Sequence, residues 1–70
     1  ILENVYVKDK SIIDSKKTET AIRKSKKMIK SYGRMLVRKS GTEPIIRIMG
    51  ESNNIKLLKK CITIVKKSIN

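Results

Sequence analysis

Four residues between positions 38 and 42 have the side-chain types that bind a phosphate group: Arg38, Ser40, Gly41 and Thr42. A guanidinium can meet two phosphate oxygens at once, and each hydroxyl can donate one hydrogen bond. Gly41 allows the backbone to turn with a positive φ and to direct consecutive N–H groups toward one point. We therefore predict an anion site in this loop, with Arg47 as a further contact if the strand register brings it back to the loop.

A polar hairpin turn without a ligand is the alternative interpretation, because Ser, Gly, Thr and Pro are all common in turns. Glu43 suits a phosphate loop poorly, since a carboxylate repels phosphate. We expect its side chain to point away, toward a hydroxyl, a backbone donor or an arginine. No part of the chain matches a phosphate loop of the Walker type. Residue spacing alone leaves both interpretations open.

Other kinds of catalytic site are excluded by composition. The chain has no His and a single Cys, Cys61, so it holds no zinc site, disulfide framework, Ser-His-Asp or Cys-His triad, or histidine general base. Cys61 lies at the edge of an apolar stripe, which is typical of a small buried hydrophobic residue rather than of a nucleophile. Sites of these kinds are therefore not expected in this chain.

Hydrophobic periodicity predicts the elements that position the loop. Alternation with period two indicates strands at 3–8, 34–39 and 45–49. Apolar residues at helical spacing indicate amphipathic helices at 18–32 and 54–69. The element order is therefore β-α-β-β-α.

The ends of these elements carry their own signals. Gly33 is expected to end the first helix as a C′ residue in the left-handed conformation. Residues 50–53 are expected to form a turn, and Asn53 or Asn54 to cap the second helix. Pro44 lacks an N–H and belongs at the start of the third strand.

These elements predict a small α+β fold, with a mainly antiparallel sheet covered on one face by two helices. The 70 residues are enough for one domain, 1–70, with a thin core. An Ile/Leu/Lys helix such as the second one could also lie on an anionic membrane. Packing on the sheet is favoured, because a short sheet needs a cover.

The chain carries a net charge of +12, and 39% of its residues are hydrophobic. Such a charge is typical of nucleic-acid binding, so an independent module that binds nucleic acid or another polyanion is the alternative function. The excess of Lys over Arg fits an A/T-rich codon bias, and no aromatic pair is present to stack bases, so we do not favour that function. The longest apolar run is three residues, which excludes a membrane span. The chain has no signal pattern and begins with Ile1, so we expect a piece of a longer cytoplasmic protein.

The run Arg-Met-Leu-Val-Arg-Lys-Ser-Gly-Thr-Glu-Pro-Ile-Ile-Arg-Ile-Met at 34–49 closely resembles the C-terminal phosphate-binding signature of the α-D-phosphohexomutase superfamily. The hydrophobic-Arg-hydrophobic-Met segment and the preceding Gly-Arg are most similar to the bacterial phosphoglucosamine mutase branch. Residues 4–10 and the amphipathic helix after the hairpin also agree, so the resemblance covers nearly the whole chain.

The resemblance implies a phosphate-holding last domain of a four-domain isomerase that interconverts glucosamine 6-phosphate and glucosamine 1-phosphate. In such enzymes a phosphoserine and a bound Mg²⁺ lie in the preceding domains and carry out phosphoryl exchange. Carried over residue by residue, Arg38, Ser40, Gly41 and Thr42 fall on the loop that holds the sugar phosphate, and Arg47 is a further helper. The fragment alone is expected to be inactive, with the preceding domains of the same chain as its partners.

Overall fold

The computed structural model describes residues 1–69, so Asn70 of the predicted domain lies outside the described residues. The elements are β1 (Leu2–Tyr6), a short 3-10 helix (Lys10–Asp14), α1 (Lys16–Ile29), β2 (Gly33–Lys39), β3 (Ile45–Ser52) and α2 (Ile55–Ile69). The predicted β-α-β-β-α order is confirmed, with the 3-10 helix as an addition. Within residues 1–69, no helix combines the length and the apolar character needed to cross a membrane.

The three strands form one antiparallel sheet in the order β1-β3-β2, so β3 is central. Side chains alternate between the two faces of a strand. Ile46 and Ile48 of β3 are fully buried on one face, which we call the helix face. Both helices contribute to the core on that face, which confirms the predicted α+β class with two helices on one side. The buried residues of this core are Val5, Ile29, Met35, Ile46, Ile48, Leu58, Cys61, Ile62, Val65 and Ile69.

Small polar side chains are buried where α1 meets α2. The Ser25 hydroxyl donates to the carbonyl oxygen of Cys61 at 3.2 Å, and the Cys61 thiol donates to the carbonyl oxygen of Ser25 at 3.6 Å. Thr18 likewise donates to the carbonyl oxygen of Ser68 at 3.1 Å. Burial raises the pKa of the Cys61 thiol, which keeps it neutral. Cys61 is therefore a buried structural residue, as its position in the stripe predicts.

The predicted role of Gly33 is wrong. No residue of the described chain has a positive φ, and Gly33 is the first residue of β2. Helix α1 ends at Ile29, three residues earlier than expected, so Tyr32 lies beyond the helix and is 48% exposed. Glycine is needed at position 33 for a steric reason, because a Cβ there would collide with the carbonyl oxygen of Glu51 on β3.

The ends of two strands also differ from the prediction. Strand β1 ends at Tyr6, two residues before the predicted end at position 8. Strand β3 continues to Ser52, so most of the expected turn at 50–53 belongs to the strand. Glycine is favoured at position 50 because the Leu58 side chain lies over it, and a Cβ there would be 2.5 Å from Leu58 Cδ1. At the start of α2, Asn54 Oδ1 accepts from the N–H of Leu57 at 3.1 Å, which makes Asn54 the cap.

Because only one face of the sheet is covered by helices, substitutions on the two faces should have different effects on the free energy of unfolding. Ile48→Ala should lower the free energy of unfolding by about 2–5 kcal/mol, because it leaves a cavity between the sheet and the helices. Leu36→Ala, at a 44% exposed position on the opposite face, should cost about 1 kcal/mol, since much of its side chain is already in water. Urea unfolding of both variants measures the difference, and equal losses would contradict the described core.

Candidate functional site

Arg38 and Arg47 lie directly opposite each other on neighbouring strands. They are register partners between β2 and β3, on the face of the sheet that the helices leave uncovered, which we call the open face. Asn4 of β1 is the register partner of Arg47 on its other side. Residue spacing alone did not determine whether Arg47 lies near Arg38. The register of the hairpin places the two residues side by side. The position of Asn4 depends on the strand order, which no local sequence signal gives.

The chain has four arginines, and two of them have carboxylate partners among the residues that the structure describes. Arg23 is paired at 2.8 Å with a glutamate one turn earlier in α1, and Arg34 at 2.5 Å with a glutamate on β3. In the part of the chain that the structure describes, Arg38 and Arg47 form no ion pair within 4 Å. Like charges directly opposite each other in a sheet are destabilising. This pair of guanidiniums therefore favours an anion that lies between them.

Arg47 also has an unpartnered donor. Its Nε atom is buried and has no hydrogen-bond partner among the described residues. A buried donor without an acceptor costs about 1–3 kcal/mol, and such groups are uncommon in folded proteins. An anionic oxygen bound at this position would remove that cost.

Ser40 shapes the loop that follows Arg38. Its N–H donates to the carbonyl oxygen of Ile45 at 2.9 Å, and its Oγ accepts from the N–H of Glu43 at 3.4 Å. The side chain is nearly buried. Its hydroxyl proton is not used in the bond to Glu43, because the oxygen is the acceptor there. Ser40 can therefore hold the turn and still donate one hydrogen bond.

Gly41 and Thr42 are exposed at the tip of the loop. Within residues 1–69, neither backbone N–H donates a hydrogen bond, so both are available to a ligand. The predicted positive φ at Gly41 is wrong, and a Cβ placed there would meet no atom within 4 Å. Glycine is thus not required by the loop's own packing, and the open space beside it lets a ligand approach the backbone.

The described residues do not fit the magnesium ion that the resemblance implies for the whole enzyme. Nowhere in residues 1–69 do three Asp, Glu, Cys or His side chains lie close enough together to hold a metal ion. The chemistry available at the open face is therefore that of guanidinium groups, hydroxyls and backbone N–H groups, which bind anions.

The two glycines give a prediction about stability. Gly41→Ala should leave the free energy of unfolding within about 0.5 kcal/mol of the original value, because the new methyl group meets nothing. Gly50→Ala, the matched change within β3, should cost about 1–3 kcal/mol through overpacking against Leu58. Thermal or urea unfolding compares the two, and a large loss from Gly41→Ala would contradict the open loop described above.

Comparison with known proteins agrees with the sequence resemblance. Residues 2–67 match the family described as "Phosphoglucomutase/phosphomannomutase, C-terminal domain". A phosphoglucosamine mutase of Pelagibacter ubique is 56% identical over 69 residues, which is 99% of this chain and 16% of that protein. Phosphoglucosamine mutases of Pelotomaculum thermopropionicum (41% identity, 89% of this chain) and Bartonella henselae (36%, 90%) are each covered over 14% of their length.

The chain thus spans only 14–16% of the length of these relatives. The family match extends over nearly all of the chain, and includes the hairpin that carries both unpaired arginines. This chain belongs to the phosphoglucomutase/phosphomannomutase C-terminal domain family.

Proposed function

We propose that this chain holds the phosphate group of a sugar phosphate as the C-terminal domain of a phosphoglucosamine mutase. The complete enzyme would interconvert glucosamine 6-phosphate and glucosamine 1-phosphate. Its phosphoserine and its Mg²⁺ would lie in the domains that precede this one. Arg38, Ser40, Gly41, Thr42 and Arg47 would contact the phosphate, and this chain would supply no catalytic residue.

The pair formed by Arg38 and Arg47 is the observation that supports this proposal most strongly. Two guanidiniums in register, without carboxylate partners, match the charge of a phosphate ester. The buried Nε of Arg47 needs an acceptor that the described residues do not supply. The free N–H groups of Gly41 and Thr42 are further donors at the adjoining loop.

A phosphate grip of this kind has a mechanistic use in a mutase. The substrate carries a phosphate at one end of the sugar, and the intermediate is a bisphosphate that must bind again after turning round. Charge-assisted bonds to the phosphate that is not transferred supply binding energy far from the reacting centre. Closure of the domain that carries them would also exclude water from the phosphoenzyme.

We predict that Arg38→Ala weakens binding of glucosamine 6-phosphate by about 10- to 150-fold, because it removes a charged, bidentate donor. Ser40→Ala should cost about 2- to 13-fold, since it removes one neutral donor. Arg38→Lys should recover part of the loss, because the charge remains but the planar fork does not. Titration followed by backbone amide NMR shifts measures each dissociation constant.

Unphosphorylated glucosamine is the control ligand for this titration and should cause no saturable shifts at residues 38–42. Shifts confined to the lysine-bearing faces of α1 and α2, with residues 38–42 unaffected, would contradict the proposed site. That result would instead support the alternative polyanion-binding function, and its binding should weaken steeply as salt is added.

A stability measurement provides an independent prediction. In low-salt buffer without phosphate, Arg38→Gln should raise the free energy of unfolding by about 0.2–1 kcal/mol, because it relieves repulsion from Arg47. Arg34→Gln, on the same strand and face, removes the same charge but breaks an ion pair with Glu51, and should not stabilise the chain. Adding phosphate should raise the melting temperature of Arg34→Gln and not that of Arg38→Gln. The same response in both variants would argue against a specific site.

A further inference from the structure

Lys10 of the 3-10 helix contacts the backbone of the loop at 40–44. Its Nζ donates to the carbonyl oxygen of Ser40 at 2.9 Å, in a half-buried position and across 30 residues of sequence. This is the only hydrogen bond that the side chain of Lys10 makes within residues 1–69, and it forms no ion pair there. Among the described residues, Lys10 therefore bonds to the backbone of the loop and not to a carboxylate.

The bonded carbonyl belongs to the same peptide unit as the N–H of Gly41. No peptide bond in the described chain is cis, and in a planar trans peptide the C=O and the N–H point in opposite directions. By holding the Ser40 oxygen, Lys10 therefore directs the Gly41 N–H away from itself. A charged donor on the oxygen also polarises the peptide and strengthens the N–H as a donor.

Apart from Lys10, few contacts among the described residues fix the orientation of the Ser40–Gly41 peptide. Gly41 has no Cβ, its surroundings are open, and glycine allows a wide range of backbone angles, so the peptide plane can rotate at low cost. The N–H of Gly41 has no partner among the described residues. Lys10 is thus the contact that fixes the orientation of a donor at the tip of the loop.

The 3-10 helix that carries Lys10 is itself held in place. Asp9 caps it, with Oδ1 accepting from the N–H of Ser11 at 2.9 Å, and hydrogen bonds from Ser11 lower the pKa of Asp9. At its other end, Asp14 is paired at 3.3 Å with Lys39, the residue between Arg38 and Ser40. The 3-10 helix therefore contacts both Lys39, the last residue of β2, and Ser40, the residue that follows it.

We propose that Lys10 is a positioning residue for phosphate binding, which it supports by orienting the Ser40–Gly41 peptide so that the Gly41 N–H faces the anion. This inference rests on the proposed function. In this proposal Lys10 acts through the backbone of the loop and not by contacting the phosphate.

The test compares Lys10→Met with Lys8→Met by NMR titration of the chain with glucosamine 6-phosphate. Lys8 is exposed and makes no side-chain hydrogen bond or ion pair within the described residues, so its replacement removes the same charge without the contact. Lys10→Met should weaken binding by about 2- to 13-fold, the range for loss of one neutral donor. Lys8→Met should change it by less than about twofold, since an exposed charge is screened by salt. Lys10→Arg, which can still donate to the carbonyl, should restore most of the affinity.

The backbone amide signal of Gly41 distinguishes positioning from a general structural role. In Lys10→Met this signal should move in the free chain and lose its response to the ligand, while Arg38 still responds. If Lys10→Met does not fold, Lys10→Gln replaces it with the same expected result.

Equal affinities of Lys10→Met and Lys8→Met, with wild-type binding intact, would overturn the role of Lys10 and leave the proposed function standing. Absence of saturable binding by the wild-type chain would overturn both.

Discussion

The site depends on one constraint, which is that two arginines with no carboxylate partner among residues 1–69 lie opposite each other on neighbouring strands. Burial of the core imposes it. Side chains alternate along β3, so placing Ile46 and Ile48 against the helices forces Arg47 onto the open face. The antiparallel register then sets Arg38 beside it. Among the described residues, nothing relieves the repulsion between these charges or satisfies the buried Nε of Arg47, and the proposed phosphate would do both.

The distribution of ion pairs distinguishes this site from the general positive charge of the chain. Glutamates pair with Arg23, Arg34 and Lys66, and an aspartate pairs with Lys39, all on or near the surface. A net charge of +12 attracts any polyanion weakly and without geometric preference. Arg38 and Arg47 are instead register partners beside a loop whose Gly41 and Thr42 N–H groups have no partner among the described residues, and this local set of donors supports the proposed phosphate site. Residues 2–67, which match the family, include both arginines and the loop between them.

Much of the fold follows from local patterns, and the parts that do not have identifiable causes. Hydrophobic periods of two and 3.6 residues were sufficient to predict the strands, the helices and the buried face of the sheet, because each element buries one side. Thr18 and Ser25 could not be found this way, since polar residues that bond a neighbouring helix resemble exposed ones in sequence. Gly33 carries an ordinary helix-stop signal but is needed for close approach to β3. The loop's phosphate-binding residue types were recognisable from spacing, whereas Asn4 beside Arg47 and the contact from Lys10 depend on tertiary arrangement.

The central claim is tested most directly by following the Nε–H signals of the four arginines in a ¹⁵N NMR spectrum during titration with glucosamine 6-phosphate. Arg23 and Arg34, which have carboxylate partners, serve as internal controls. We predict that the signals of Arg38 and Arg47 shift together and saturate at the same ligand concentration, while the two controls stay in place. An Arg47 signal that does not move, or equal and non-saturating shifts of all four arginines, would contradict it.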